Sequence, residues 1–167
     1  LIFVTVGAQM PFDRMVRTVD EWAHLRGRSD VFAQIGCTDW TPRHIEFVHL
    51  LEPDDFRLRV RKADVIVAHA GMGSILTALE AGKPILVMPR RGDLKETRND
   101  HQVATARRFG DQGRVAVAMD EHELAQRLDE LSSLGSSAPI SNGASPRLID
   151  AVRSFIQDSA PHRSRSA

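Results

Sequence analysis

Short apolar, largely β-branched runs recur along the chain, with amphipathic stretches between them: "IFVTV", "VFAQIG", "IEFVHL", "VIVA", "ILVM" and "VAVA". Buried strands alternating with helices imply a parallel sheet covered on both faces, an α/β fold. The first helix is well marked. Pro11 suits a first-turn position, and Phe12, Met15, Val16, Val19 and Ala23 recur at helical spacing. Further helices are predicted at about 55–62, 73–81, 99–109, 121–131 and 146–157. Residues 1–131 then form a single domain. "SSLGSSAPISNGAS" at 132–145 reads as a flexible connector, and 158–167 as a disordered tail beyond the last helix.

A chain of 167 residues is long enough for one well-filled domain and short for two. Lysine plus arginine and aspartate plus glutamate stand at 22 each, so no net field gathers nucleic acid, and no nucleic-acid partner is expected. One cysteine, Cys37, leaves no intramolecular disulfide and suits the cytoplasm. No apolar run approaches the roughly 18 residues of a spanning helix, and "LIFVTVG" lacks a signal-peptide pattern. Membrane association is therefore expected to come through a partner.

The stretch "VIVAHAGMGSILTALEAGKP" carries the chemistry. In such sheets ligands sit outside the carboxyl ends of the strands, and helix amino termini offer free N–H groups to anions. Gly71, Gly73 and Ser74 are placed to cradle a phosphate or pyrophosphate, with His69 as a side-chain donor; the plainer alternative is a tight strand-to-helix turn. Commoner phosphate motifs fail. Gly82-Lys83 is followed by Pro84 rather than serine or threonine, and Leu76 stands where a dinucleotide fingerprint needs its third glycine. No Asp-x-Asp pair is present to hold a metal against a diphosphate, so the protein itself is expected to balance that charge, with neither metal nor cofactor.

Two further segments point to the same rim. "VTVGAQMPFDRMV" places Gly7, Ala8 and Gln9 at the end of the first strand. "VMPRRGDLKETRNDHQ" follows the fifth strand and gathers Arg90, Arg91, Asn99, Asp100 and Gln102, whose amides and carboxylates suit sugar hydroxyls.

Together "VTVGAQMPFDRMV", "AHAGMGSILTALEAGKPILVMPR" and "NDHQVATA" resemble the nucleotide-sugar-binding half of B-type glycosyltransferases, the C-terminal domain of glycosyltransferase family 28. The small one-domain members are especially similar: catalytic subunits of two-component enzymes of dolichol-linked N-acetylglucosaminyl transfer and of bacterial exopolysaccharide synthesis. The resemblance spans roughly residues 2–118 and implies a Rossmann-like domain that binds a UDP-sugar.

It also implies residue roles. His69, Gly71, Gly73 and Ser74 face the diphosphate, the turn Gly7 to Gln9 approaches the donor, and Gln102 touches the donor sugar with Asn99 and Asp100 beside it. Relatives often carry a ribose-binding glutamate where Thr77 stands here, so Thr77 or Glu80 takes that contact. The uracil is expected near residues 51–56. The implied reaction is inverting attack of an acceptor hydroxyl on the anomeric carbon. The resemblance further implies a membrane-associated acceptor-binding subunit as partner, presenting a lipid-linked saccharide. Met10, Phe12, Met72 and Arg90 are expected at its docking surface, and recruitment to the cytoplasmic face of the membrane would follow. His69 stabilises the departing diphosphate, and the base is expected on the partner. Other readings are a non-catalytic nucleotide-binding module and a UDP-sugar epimerase-like domain.

Overall fold

A computed structural model describes residues 1–133. Each of the six apolar runs becomes a strand: β1 (Ile2–Thr5), β2 (Val31–Gln34), β3 (Glu46–Val48), β4 (Val65–His69), β5 (Ile85–Met88) and β6 (Ala116–Val117). All pairings are parallel, in the order β3-β2-β1-β4-β5-β6. This is the doubly wound Rossmann order, with the chain moving outward from β1 to β3 and then returning to place β4 on the other side of β1. The reversal opens a crevice between the carboxyl ends of β1 and β4.

Side chains alternate strictly across the sheet, as a period of two requires. Val4, Ala33, Val67 and Leu86 face one apolar layer with Met15, Val16, Val19 and Trp22 of α1 (Asp13–Leu25) and Leu124 and Leu128 of α5 (Glu121–Ser133). Phe3, Phe32, Ile66 and Val87 face the other. There they meet Val60 of α2 (Pro53–Lys62), Ile75 and Ala78 of α3 (Met72–Glu80), and Ala106 and Phe109 of α4 (His101–Asp111). Each fully buried Phe or Leu contributes about 1.5–3 kcal/mol, so the two layers fix the sheet and leave its loops free to vary.

Some boundaries depart from the sequence reading. Pro11 precedes α1, and Phe12, 1% exposed, occupies the cap position. Its ring is core, which removes Phe12 from any docking surface. Pro53 is the proline that opens a helix, starting α2 before the expected 55. Helix α5 continues through Ser133, so the first residues of the expected connector are helical. The rest of that connector, the helix at 146–157 and the tail at 158–167 lie outside the described residues.

Candidate functional site

A cavity of about 800 Å³ lies at the carboxyl edge of the sheet, across the β1/β4 crevice. Three of the segments that line it are marked by the sequence. The turn after β1 contributes Gly7, Ala8 and Gln9; the turn and helix after β4 contribute His69, Gly71, Gly73, Ser74, Thr77 and Glu80; and the segment after β5 contributes Arg90 and Gln102. Asn99 and Asp100 are not part of this wall. The Asp100 carboxylate accepts the Gly92 N–H at 2.9 Å, and the Asn99 amide oxygen accepts the His101 N–H and contacts the His101 ring. Both shape the loop before α4.

The β4–α3 turn is made by its own backbone. Gly71 N–H donates to the His69 carbonyl at 2.8 Å, and α3 begins at Met72. Gly71 is the cap residue and no side chain caps this end, so the first N–H groups of α3 are left for a ligand. Gly73 sits within the helix with nothing within 4 Å of where a Cβ would stand. The open backbone there follows from the absent side chain, not from unusual dihedral angles.

His69 occupies a slot formed by two glycines. A Cβ at Gly7, where φ is +78°, would stand 2.7 Å from the imidazole Cε1, and one at Gly71 would overlap Nε2. Both glycines therefore make room for the ring itself. Burial, then the neighbouring Arg90 guanidinium, push the imidazole down to about 4, with only the Thr5 backbone acting the other way. The ring is neutral at pH 7. Its Nδ1 is buried without a hydrogen-bond partner.

Buried polar side chains hold this edge together. Gln34, at the end of β2, donates to the Gly7 carbonyl at 3.3 Å and accepts the Leu51 N–H at 3.2 Å. Thr5, at the end of β1, accepts the Gly7 N–H at 3.1 Å. Arg90 is 4% exposed and points back into the turn after β1, while its backbone N–H donates to the Gln102 side chain at 3.1 Å. The sequence reading missed Gln34 and Thr5, although a polar residue closing a buried strand is a visible signal in "IFVT" and "VFAQ". At the far end Leu50, Leu51, Pro53, Phe56 and Arg57 form a mostly apolar wall. The N–H of Leu51 is already taken by Gln34.

Thr77 and Glu80 both line the cavity. The Thr77 hydroxyl donates to the Gly73 carbonyl at 2.8 Å, while Glu80 is exposed. Arg91 turns outward to Asp93. Among the described residues, no cluster of three or more His, Cys, Asp or Glu is placed to hold a metal ion, and no helix is long and apolar enough to cross a membrane.

The chain is similar to proteins of known name. The human protein named UDP-N-acetylglucosamine transferase subunit ALG13 is 28% identical over 124 residues, covering 68% of this chain but 10% of that protein. The chain thus matches one small part of a much longer relative. A solution structure of ALG13 superposes with a TM-score of 0.61 at 18% identity, covering 90% of this chain and 94% of that one. The UDP-GlcNAc 2-epimerase from Neisseria meningitidis, solved with UDP-GlcNAc bound, gives a TM-score of 0.57 at 13% identity, covering 93% and 42%. At such identities the two structures share the fold alone. The sequence itself matches the glycosyltransferase family 28 C-terminal domain over residues 1–144, and the chain belongs to that family.

Proposed function

We propose that this domain binds a UDP-sugar in the carboxyl-edge cavity and serves as the donor-binding, catalytic subunit of an inverting glycosyltransferase. The observation that carries the reading is the uncapped start of α3 facing a cavity at the β1/β4 crevice, with a neutral His69 beside it. Free N–H groups and the helix dipole meet the charge that develops on a departing diphosphate, and their preorganisation makes that stabilisation effective. Each such donor is worth about 3 kcal/mol in the transition state. Arg90 adds a nearby cation, so the diphosphate charge is met by the chain itself without a metal ion.

His69 fits a phosphate-facing role better than that of base. An imidazole held near 4 is a weak proton acceptor at neutral pH, and the efficiency of a general base falls with its pKa. The base for the acceptor hydroxyl then belongs to a partner subunit, consistent with the word "subunit" in the name of the human relative. The reading extends to a lipid-linked saccharide acceptor presented at the cytoplasmic face of a membrane by that partner, the arrangement that the sequence resemblance implies.

The test is calorimetric titration of the chain with UDP in the presence of a chelator, followed by assay of UDP release from UDP-sugars with and without membranes of the source cell. Saturable binding, with sugar transfer only when membranes are added, is expected. Conversion of UDP-GlcNAc to its 2-epimer by the chain alone would replace this reading with the epimerase one. Binding without turnover under any condition would favour a non-catalytic nucleotide-binding module.

A further inference from the structure

We propose that Arg90 is a positioning residue that locks the turn after β1 from inside the protein, in the shape that receives the anion, rather than a group that itself grips the ligand. The proposal deepens the donor-site reading and rests on it for the nature of the anion. Arg90 follows β5, at the far side of β4 from the turn it holds. Its Nη2 donates to three carbonyls of that turn, Val6 at 2.8 Å, Met10, and Pro11 at 3.5 Å. The guanidinium carbon lies 5.2 Å from the centre of the Phe12 ring, the residue that caps α1. On the other side, the Arg90 N–H is tied to Gln102 of α4. One residue thus joins β5, the post-β1 turn and the start of α1 through its side chain, and α4 through its backbone N–H.

What sets this residue apart from an ordinary brace is its unbalanced charge. Among the described residues Arg90 makes no ion pair. Glu96 is the acid that acts on it, and that carboxylate is already engaged by Arg14, at 2.6 and 2.9 Å, and by the Arg91 N–H. The Arg90 Nε is buried and makes no hydrogen bond. A buried cation satisfied by carbonyls leaves a net positive potential at the cavity wall, which favours an anionic ligand. The same charge acts on His69 and, second to burial, lowers its pKa. Arg90 therefore holds the shape of one turn and adds to the lowering of the imidazole between the two turns. Lysine in its place would keep the charge but lack the planar fork.

The two consequences can be read separately on the full chain. Histidine ring signals are followed by NMR without ligand from about pH 3 to about pH 8, with His69 identified by its loss in His69→Gln. UDP affinity is measured by calorimetry. Arg90→Gln is expected to raise the His69 midpoint by at least about half a unit and to weaken UDP binding about tenfold or more through the misplaced turn. Arg90→Lys should hold the midpoint close to wild type while still weakening UDP about threefold. An unchanged midpoint in a folded Arg90→Gln protein, or UDP affinity within about twofold of wild type in both variants, overturns the proposal. Should Arg90→Gln fail to fold, Arg90→Lys decides it by the same affinity criterion. If the wild-type chain binds no UDP, the donor-site reading falls, and the ligand-free midpoints still decide whether Arg90 controls His69.

Discussion

The two glycine turns that flank the β1/β4 crevice solve one problem in different ways. After β4 the chain turns on its own backbone: Gly71 N–H bonds back to His69, α3 starts at once, and Ile75 N–H returns to the Gly71 carbonyl at 3.2 Å. After β1 the chain makes a longer excursion through exposed Ala8, Gln9, Met10 and Pro11 before Phe12 enters the core. That excursion is held from outside itself, by Thr5, Gln34 and Arg90. The turn after β4 is held by its own backbone bonds, whereas the longer loop is held by buried side chains from elsewhere. With Asp20, Gln102 and these three complete the set of buried polar side chains among the described residues. Four of the five serve this edge; Asp20 instead binds the N–H groups of Arg43, His44 and Ile45.

The sharpest way to break the comparison is to add a methyl group to each turn. Gly71→Ala drives a Cβ into the His69 ring and is expected to cost up to about 3 kcal/mol as overpacking. Gly7→Ala meets the same ring and in addition holds alanine at a left-handed angle, worth about 1–2 kcal/mol. Removing the ring with His69→Ala should restore most of the Gly71→Ala loss but only part of the Gly7→Ala loss, as read by urea denaturation of the double mutants. Equal rescue at both positions would show that strain at Gly7 is not a separate feature.

Stability against pH comes next in size. His69 titrates at about 4 folded and near 6.5 unfolded, so between these values the unfolded chain carries a proton that the folded chain lacks. Stability must then fall as pH drops through that window, by up to about 1.4 kcal/mol per unit. His69→Asn should flatten this slope relative to wild type, while carboxylates such as Asp30 and Asp129 act alike in both proteins. Matching slopes for the two proteins would contradict a neutral buried ring.

Gly73→Val tests the second turn for binding alone. The position is helical and open, so stability should change by less than about 1 kcal/mol, while UDP affinity falls about tenfold because the side chain occupies the anion's approach. Normal UDP binding by a folded Gly73→Val protein would move the phosphate away from α3. The smallest effect concerns the ribose: Glu80→Gln and Thr77→Ala, compared for UDP and 2′-deoxy-UDP, should differ by about 1 kcal/mol at whichever residue makes the contact. Loss of discrimination in one variant assigns that residue.

Much of this architecture was legible in the chain. The six apolar runs correspond to the six strands, most clearly for the four inner ones, because a strand buried on both faces leaves an uninterrupted signature. The second turn was legible too, since its geometry is local: a strand, a glycine and a helix start within a few residues. The first turn was only half legible. Gly7 to Gln9 could be placed at the sheet edge, but the braces come from residues distant in sequence, Arg90 binding carbonyls some eighty positions earlier. A carbonyl acceptor has no sequence signature, so an arginine that binds one reads the same as an arginine awaiting phosphate. Phe12 was misplaced for a related reason, since an apolar residue beside an exposed loop looks like a contact until the core is seen. Asn99 and Asp100 looked like sugar ligands, and the structure spends them on their own loop.

The central claim is that a nucleoside diphosphate seats across both turns. It is tested most directly by mapping amide chemical-shift changes as UDP is titrated into the chain in the presence of a chelator. Saturable binding is expected, with the largest changes at Gly7 to Gln9, at Gly71 to Thr77 and around His69 and Gln102. Absence of saturable binding, or changes confined to the separate groove between α4 and β6 lined by Arg107, Gly110 and Val117, would contradict it.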